Sequence, residues 1–416
     1  MGRYLVLLWL GLTLFTNTPL KGQDSCYVSS NRRAIKKVEK AKKAIRDGNG
    51  NAAIEYFHEA IEIDDEYIEP YWRIGKIYYH RKDVRNTETY FNKVIELCPY
   101  YDVYVYYYLA RIAYGRDDYD KTIALLEIFL EDPDKIKRNE DYDNALFLFD
   151  QAVFYRQVYS NKVPFNPQRV EGISTDDDEY LAIISADNDI ALFTRKTSVE
   201  KGLATFDFGP SYEEKFMISE RLNGTFDRGI PMPPPFNSFG NEGAATITID
   251  NNEIFYTVCQ DTVINDRIYN NCDIYHAKRR YGVWQEISLL DTNDISMAHS
   301  WESQPSITSD GKTLYFASDR EGGFGGVDIY SVSRDEKGLW GKPINLGKRV
   351  NTAGNEKSPF IHSDSQTLYF SSGSRVDYKN NFYEGHKGLG GYDIFYLRLN
   401  EQWQKPKNIG FPINTA

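Results

Sequence analysis

The chain has 416 residues, enough for two or three domains, and its 49 Lys and Arg against 60 Asp and Glu give a net charge of −11. This acidic balance, without any basic cluster, argues against nucleic-acid binding. The 32 tyrosines suit a strand-rich architecture in which many rings lie half in water.

Residues 1–22 are predicted to form a secretory signal peptide. Arg3 precedes an apolar run from Leu5 to Phe15, which is too short to span a bilayer. A polar break follows the run at once, which favours a signal peptide over the alternative, a buried N-terminal helix. We expect cleavage after Gly22, so that residues 23–31 form a short N-terminal segment.

Four cysteines remain after this cleavage. Cys26 is a candidate for lipidation, although the three residues before it lack the apolar and small side chains of a lipobox. Cys98 lies at a predicted helix end and is expected to be a buried free thiol. Cys259 closes one predicted strand and Cys272 opens the next, so these two are expected to form a disulfide in an oxidising compartment.

Residues 32–160 show a helical pattern with a repeat of 34 residues. Small residues such as Gly75 recur at fixed places, where they let paired helices approach, and large ones such as Phe91 fill the gaps. The pattern resembles a tetratricopeptide repeat (TPR) array, an all-α solenoid of helix pairs. We expect three repeats, followed by a capping helix over residues 141–159.

In such an array, the first helix of each pair lines a concave groove. Three residues of the second repeat and three of the third have the i, i+4, i+7 spacing that places side chains on one helix face. The predicted partner-binding residues are Trp72, Lys76, Tyr79, Tyr107, Arg111 and Tyr114. Aromatic and cationic side chains together suit an extended peptide or its carboxylate. The alternative is that they pack against the capping helix or the second domain.

The second half of the chain repeats a Glu followed eight residues later by a turn Asp. The four pairs are Glu179/Asp187, Glu242/Asp250, Glu302/Asp310 and Glu356/Asp364. Each turn Asp leads into an apolar strand, and in three copies an Asp-Ile-Tyr or Asp-Ile-Phe step and a Trp follow. Four-stranded sheets at this spacing bury both faces by stacking radially, so residues 161–416 predict a β-propeller. The fold class is therefore α+β and multidomain.

Four complete blades are predicted, at about 176–237, 238–297, 298–350 and 351–413. Residues 163–175 resemble 342–352, the last strand of a blade, and therefore predict an additional strand without partners. Residues 413–416 match 350–353, which lead into another blade. We expect five or more blades, with the fifth beyond residue 416 and the Phe165–Val170 strand completing it.

No catalytic constellation is identifiable. There is no G-x-S-x-G elbow and no H-E-x-x-H pair, and the six histidines are scattered. The Gly-rich residues 322–326 lead into a strand, not a helix, so they do not predict a phosphate site. The acidic run 176–179 lacks the ligand spacing of an EF-hand loop. We therefore expect no catalytic residues, no metal, no cofactor and no enzyme.

Two stretches, S-D-G-K-T-L-Y-F-A-S-D-R-E-G-G-F-G-G-V-D-I-Y (309–330) and H-K-G-L-G-G-Y-D-I-F-Y (386–396), resemble periplasmic TPR proteins with a PD40 (WD40-like) propeller. Members of this OmpA family continue into a domain that binds peptidoglycan. The PorE-like component of the type IX secretion system has this order of domains.

The resemblance implies a periplasmic scaffold associated with the outer membrane. Its partners would be outer-membrane secretion components, and peptidoglycan would be bound only through a domain absent from residues 1–416. Two alternatives stay open: a glycan-binding or glycan-cleaving propeller protein, and a TolB-like envelope-integrity factor. A central channel lined by aromatic rings and converging carboxylates would favour a glycan, and a flat, partner-sized surface would favour the scaffold.

Overall fold

The computed structural model describes residues 26–199, 211–238, 240–264, 267–377, 379–400 and 402–415. The predicted signal peptide lies outside the described residues. The chain divides into two compact units, Met1–Val153 and Phe154–Ala416. Helices fill the first, and four antiparallel sheets arranged as a four-blade β-propeller fill the second, which confirms the predicted α+β fold class.

Six helices of the first unit pack as consecutive pairs, and a seventh, longer helix follows them. Their bounds are α1 Arg32–Arg46, α2 Gly50–Ile63, α3 Ile68–His80, α4 Val84–Leu97, α5 Tyr104–Tyr114, α6 Tyr119–Leu130 and α7 Asn139–Ser160. This pairing is what a TPR-like repeat requires, and membership of that family stays a prediction.

Local chemistry explains where these helices begin and how closely they pack. The side chains of Asn49, Asp83 and Asp118 each accept a backbone N–H three residues on, which caps α2, α4 and α6. At Gly75 of α3, an added Cβ would lie 2.5 Å from Cε1 of Phe91 on α4. The glycine therefore lets α3 and α4 approach as the repeat predicts.

A disulfide joins Cys26 to Cys98 and ties the N-terminal segment to the end of α4. The predicted free thiol at Cys98 is therefore wrong, because no sequence pattern indicated that a residue before α1 lies beside the second helix pair. The same bond occupies the Cys26 sulfur, which in this form has no thiol to receive a lipid.

The second unit contains 18 described strands. Blade 1 consists of β1 Asp178–Ile184, β2 Ile190–Val199, β3 Ser211–Leu222, β4 Thr225–Phe226 and β5 Ile230–Pro231. Blade 2 consists of β6 Asn241–Ile247, β7 Glu253–Ile264, β8 Arg267–Arg280 and β9 Val283–Leu289. Blade 3 consists of β10 Glu302–Ile307, β11 Thr313–Ser318, β12 Asp328–Ser333 and β13 Ile344–Asn345. Blade 4 consists of β14 Glu356–Ile361, β15 Thr367–Asp377, β16 Phe382–Glu384, β17 Gly391–Arg398 and β18 Lys407–Asn408.

The first strands of the four blades, β1, β6, β10 and β14, line one narrow cavity of about 150 Å³. Each carries a bulge at the same position, where one residue has positive φ: Leu181 (52°), Ala244 (48°), Gln304 (58°) and Ser358 (51°). The repeated bulge bends all four strands alike around the shared axis.

Buried apolar clusters join neighbouring blades: 1 with 2, 2 with 3, and 3 with 4. Within the described residues, no such cluster joins blade 4 to blade 1. Residues 161–170 form no strand, and Phe165 and Val170 are exposed. Residues 165–170 therefore complete no blade of this structure, and the further blade stays a prediction.

The repeated Glu is the first or second residue of the first strand in each blade and binds the crossover that precedes it. Glu302 is fully buried, and its carboxylate accepts the Met297 N–H at 2.8 Å and the Ser300 hydroxyl at 2.5 Å. The Ser318 hydroxyl donates to it at 2.7 Å, and Arg320 lies 3.2 Å away. Burial nevertheless raises the pKa of Glu302.

We predict that Glu302→Ala lowers the free energy of unfolding by about 3 kcal/mol, because it removes one partner of a buried ion pair. It also leaves the Met297 N–H without its acceptor. Urea unfolding followed by circular dichroism measures the change. Glu321→Ala, at an exposed position in the adjoining loop, is the matched control and should stay within about 0.5 kcal/mol of wild type. Equal stability of the two variants would contradict the structural role of Glu302.

Candidate functional site in the helical unit

A cavity of about 210 Å³ opens in the helical unit between α3, α5 and the start of α7. Its walls combine three aromatic rings, three cations and two carboxylates. The lining residues are Trp72, Lys76, Asp102, Tyr104, Tyr108, Lys137, Arg138 and Asp141. Two of the six residues predicted to bind a partner, Trp72 and Lys76, are among them.

Trp72 and Lys76 lie one turn apart on α3, so their side chains meet. The Lys76 ammonium is 4.7 Å from the centroid of the Trp72 ring. Burial lowers the pKa of Lys76, and the nearby Asp102 carboxylate only partly opposes this. Within the described part of the chain, Lys76 makes no ion pair or hydrogen bond, and the buried Trp72 Nε1–H has no acceptor. Two donors are thus unsatisfied side by side.

The other two cations of the cavity are already neutralised. Arg138 donates two hydrogen bonds to Asp141, at 2.9 and 2.5 Å, which holds the pKa of Asp141 below its usual range despite burial. Lys137 lies 3.4 Å from Asp102. The Tyr104 hydroxyl donates to Asp141 at 2.9 Å and accepts the Lys137 backbone N–H at 2.9 Å. Lys76 therefore carries the unbalanced charge of this cavity.

Of the remaining predicted groove residues, Tyr79 does not line the cavity but packs against Tyr108, which does. Its ring packs 4.5 Å from that of Tyr108, centroid to centroid. Tyr107 is buried and stacks 4.9 Å from Phe129, with the Arg111 guanidinium 5.8 Å from the Tyr107 ring.

Tyr114 is also a packing residue, since its hydroxyl donates to Gln151 on α7 at 2.6 Å. The alternative of packing against the last helix therefore describes Tyr114, and Tyr107 packs within the helical core. Of the six predicted residues, the structure brings Trp72 and Lys76 together in this cavity, and partner binding by any of the six stays a prediction.

Six lining residues were missed by the sequence analysis. Tyr104 and Tyr108 are one turn apart on α5, but the repeat register placed Tyr107 and not Tyr108 toward the groove. The others, Asp102, Lys137, Arg138 and Asp141, lie in the loops before α5 and α7 or in the first turn of α7. Repeat periodicity carries no information about such positions, although the Lys137-Arg138 pair was a visible signal.

In the propeller, the predicted disulfide between Cys259 and Cys272 is present across the β7–β8 hairpin, at directly paired positions. The central cavity is lined by small and apolar residues, two of them prolines, together with two serines and one glutamine, and no carboxylate lines it among the described residues. The blade Glu side chains instead bind their own crossovers. The described residues hold no cluster of three metal-ligating side chains.

The comparisons with known proteins concern the fold. No family model and no curated protein matches the chain. Similar solved structures include the α-L-arabinofuranosidase of Fusarium graminearum (11% identity, 56% of this chain and 66% of that chain, TM-score 0.35). A candidate glycosidase from Bacteroides thetaiotaomicron has 10% identity over 56% and 74% of the two chains, with a TM-score of 0.34. A puromycin-hydrolyzing peptidase of Mycobacterium tuberculosis has 10% identity over 56% and 38%, with a TM-score of 0.30.

The chain spans less than two thirds of the length of the peptidase and of the arabinofuranosidase. The prediction that this chain is not an enzyme is corrected by these structures, because the proteins that it is similar to include glycosidases and a peptidase. At TM-scores of 0.30 to 0.35, these similarities carry no argument about the fold or the activity of this chain. Within the described residues, no helix has the length and apolar character that a membrane span needs.

We predict that Tyr107→Ala lowers the free energy of unfolding of the helical unit by about 3 kcal/mol, because it removes a buried ring from a packed core. Tyr107→Phe keeps the ring and should cost less than about 1 kcal/mol. Tyr100→Ala, at an exposed position, is the control. Thermal and urea unfolding measure all three. Unchanged stability of the Tyr107→Ala protein would show that Tyr107 is not a packing residue and would leave it as a candidate for partner binding.

Proposed function

We propose that this chain is a binding protein whose helical unit holds a carboxylate of an extended partner segment in the cavity around Lys76. The observation that carries the proposal is the Lys76 ammonium, which is half-buried beside Trp72 and lacks a counter-ion in the described residues. Burying a cation without a partner is unfavourable, and an arriving carboxylate would remove that cost.

The neighbouring groups favour a carboxylate carried on a side chain whose methylene groups can pack on the aromatic rings. Trp72 adds an unused N–H donor beside the ammonium, and a carboxylate has two oxygens that accept such bonds. Tyr104 and Tyr108 supply ring surface on the α5 wall. The Asp102 and Asp141 carboxylates would repel a second negative charge in the cavity, so the site suits one carboxylate at a time.

The cellular setting belongs to the same proposal. We place the protein in the periplasm, associated with the outer membrane, where it would dock components of a type IX-like secretion machinery. The support is the resemblance of residues 309–330 and 386–396, together with two disulfides, which persist in oxidising compartments. In proteins of that kind, a further domain binds peptidoglycan.

The test uses tri-glutamate with a free terminal carboxylate, and amidated tri-glutamine as the uncharged probe, in calorimetric titrations of the whole chain. We expect tri-glutamate to bind and the amide to bind at least tenfold more weakly. Lys76→Met should weaken tri-glutamate binding by about tenfold to a hundredfold, the range for a hydrogen bond to a charged group. It should not lower stability, because burial already disfavours the Lys76 charge.

Lys121→Met, at an exposed position on α6, is the matched control and should bind as wild type does. Equal binding by the Lys76→Met and Lys121→Met variants would overturn the proposed site. Equal binding of the acid and the amide would overturn the proposed chemistry.

A further inference from the structure

Two aromatic rings flank a lysine where blades 3 and 4 meet. Trp301 immediately precedes β10, Lys357 is the second residue of β14, and Tyr392 is the second residue of β17. The Lys357 ammonium lies 5.6 Å from the centroid of the Trp301 ring and 5.8 Å from that of Tyr392. Three strands from two blades thus place these side chains together.

The polar ends of these three side chains are unused. Within the described part of the chain, the Lys357 ammonium has no ion pair, and neither the Trp301 indole N–H nor the Tyr392 hydroxyl makes a hydrogen bond. Tyr392 is 52% exposed. Its ring lies over Gly373, where an added Cβ would be 3.5 Å from Tyr392 Cε1. The glycine therefore supports the ring and leaves its outer face open.

A groove of about 590 Å³ continues from Tyr392 across blade 4. Its floor is largely backbone, because five of its lining residues are glycines: Gly354, Gly373, Gly388, Gly390 and Gly391. Asn355, Arg375 and Glu384 add planar polar groups along its walls. Arg375 and Glu384 are 3.7 Å apart at their closest, so each keeps free donors or acceptors.

We propose that this groove and the three side chains beside it bind an oligosaccharide that carries carboxylate groups. A pyranose ring has a face of C–H groups that packs on an aromatic ring, and Tyr392 and Trp301 present two such rings. Its hydroxyls need donors and acceptors, which the side chains of Asn355, Arg375 and Glu384 provide along the groove.

Lys357 selects for the acid. Its ammonium lies between the two rings, so a sugar stacked on either ring brings its substituents within reach of it. A carboxylate there completes a charge-assisted hydrogen bond, whereas a neutral sugar leaves the charge unpaired. The groove volume of about 590 Å³ is within the range for small-molecule sites and leaves room for more than one sugar unit.

The test measures binding of tri-galacturonate, of its methyl ester and of tri-glutamate by calorimetry. It uses the whole chain carrying Lys76→Met, so that the helical cavity does not contribute. We expect tri-galacturonate to bind saturably, and the methyl ester and tri-glutamate to bind at least tenfold more weakly. Tyr392→Ala and Lys357→Met should each weaken tri-galacturonate binding by about tenfold.

Tyr281→Ala, at a fully exposed tyrosine of blade 2, and Lys348→Met, at an exposed lysine of blade 3, are the matched controls and should bind as the parent does. Thermal unfolding verifies that all four variants fold. Absence of tri-galacturonate binding, or equal binding by test and control variants, overturns the site. Equal binding of the methyl ester overturns the role of Lys357, and equal binding of tri-glutamate shows that a carboxylate is held without its sugar.

Discussion

The propeller depends on a carboxylate at the start of each blade, which is buried in three blades and half-buried in the first. Glu179, Glu242, Glu302 and Glu356 each accept a backbone N–H of the crossover that leads into their own strand. A crossover has no ladder partner for its N–H groups, and leaving them unsatisfied in the interior would be costly. The Glu side chain meets that need at one place per blade, which is why the sequence repeats it.

Asparagine side chains satisfy backbone groups in a similar way on β12 of blade 3 and β17 of blade 4. Asn351 accepts the Ile329 N–H at 2.8 Å and donates to the Ile329 carbonyl at 2.9 Å, and so stands in for a neighbouring strand. Asn414 makes the same two bonds to Ile394, both at 2.8 Å. With its backbone satisfied in this way, each blade can vary the loops and exposed side chains at its edges.

The helical unit contains a cavity in which hydrogen bonding among the described residues is incomplete. Arg138 with Asp141 and Lys137 with Asp102 form pairs, and the Tyr104 hydroxyl bridges between them. Among the described residues, the Lys76 ammonium has no counter-ion and the Trp72 N–H has no acceptor. Buried polar groups in proteins are almost always paired, and these two unpaired neighbours in one cavity are the basis on which we propose a ligand that supplies the missing acceptors.

The sequence predicted the fold better than the site, for physical reasons. Repeats at fixed spacing, such as the Glu and turn Asp pairs and the Gly75–Phe91 packing, report on backbone geometry that recurs in every copy. The cavity uses residues that occur once, in loops and in the first turn of α7, so no periodicity marks them. The Cys26–Cys98 disulfide was missed for the same reason, because the two cysteines are 72 residues apart in the chain and only the tertiary fold brings them together. Tyr107 and Tyr108 differ by one helical position, and the register alone could not separate a packing ring from a cavity wall.

The most direct test of this account is the titration of Lys76 itself, followed by NMR of its side-chain ε carbon and assigned with Lys76→Met. The account predicts that the pKa of Lys76 in the free protein lies below its ordinary range, because burial disfavours the charge. It also predicts that the pKa rises when tri-glutamate is added, because a bound carboxylate favours the ammonium form. An ordinary pKa that does not change with tri-glutamate would contradict the claim that Lys76 is an ammonium awaiting its counter-ion.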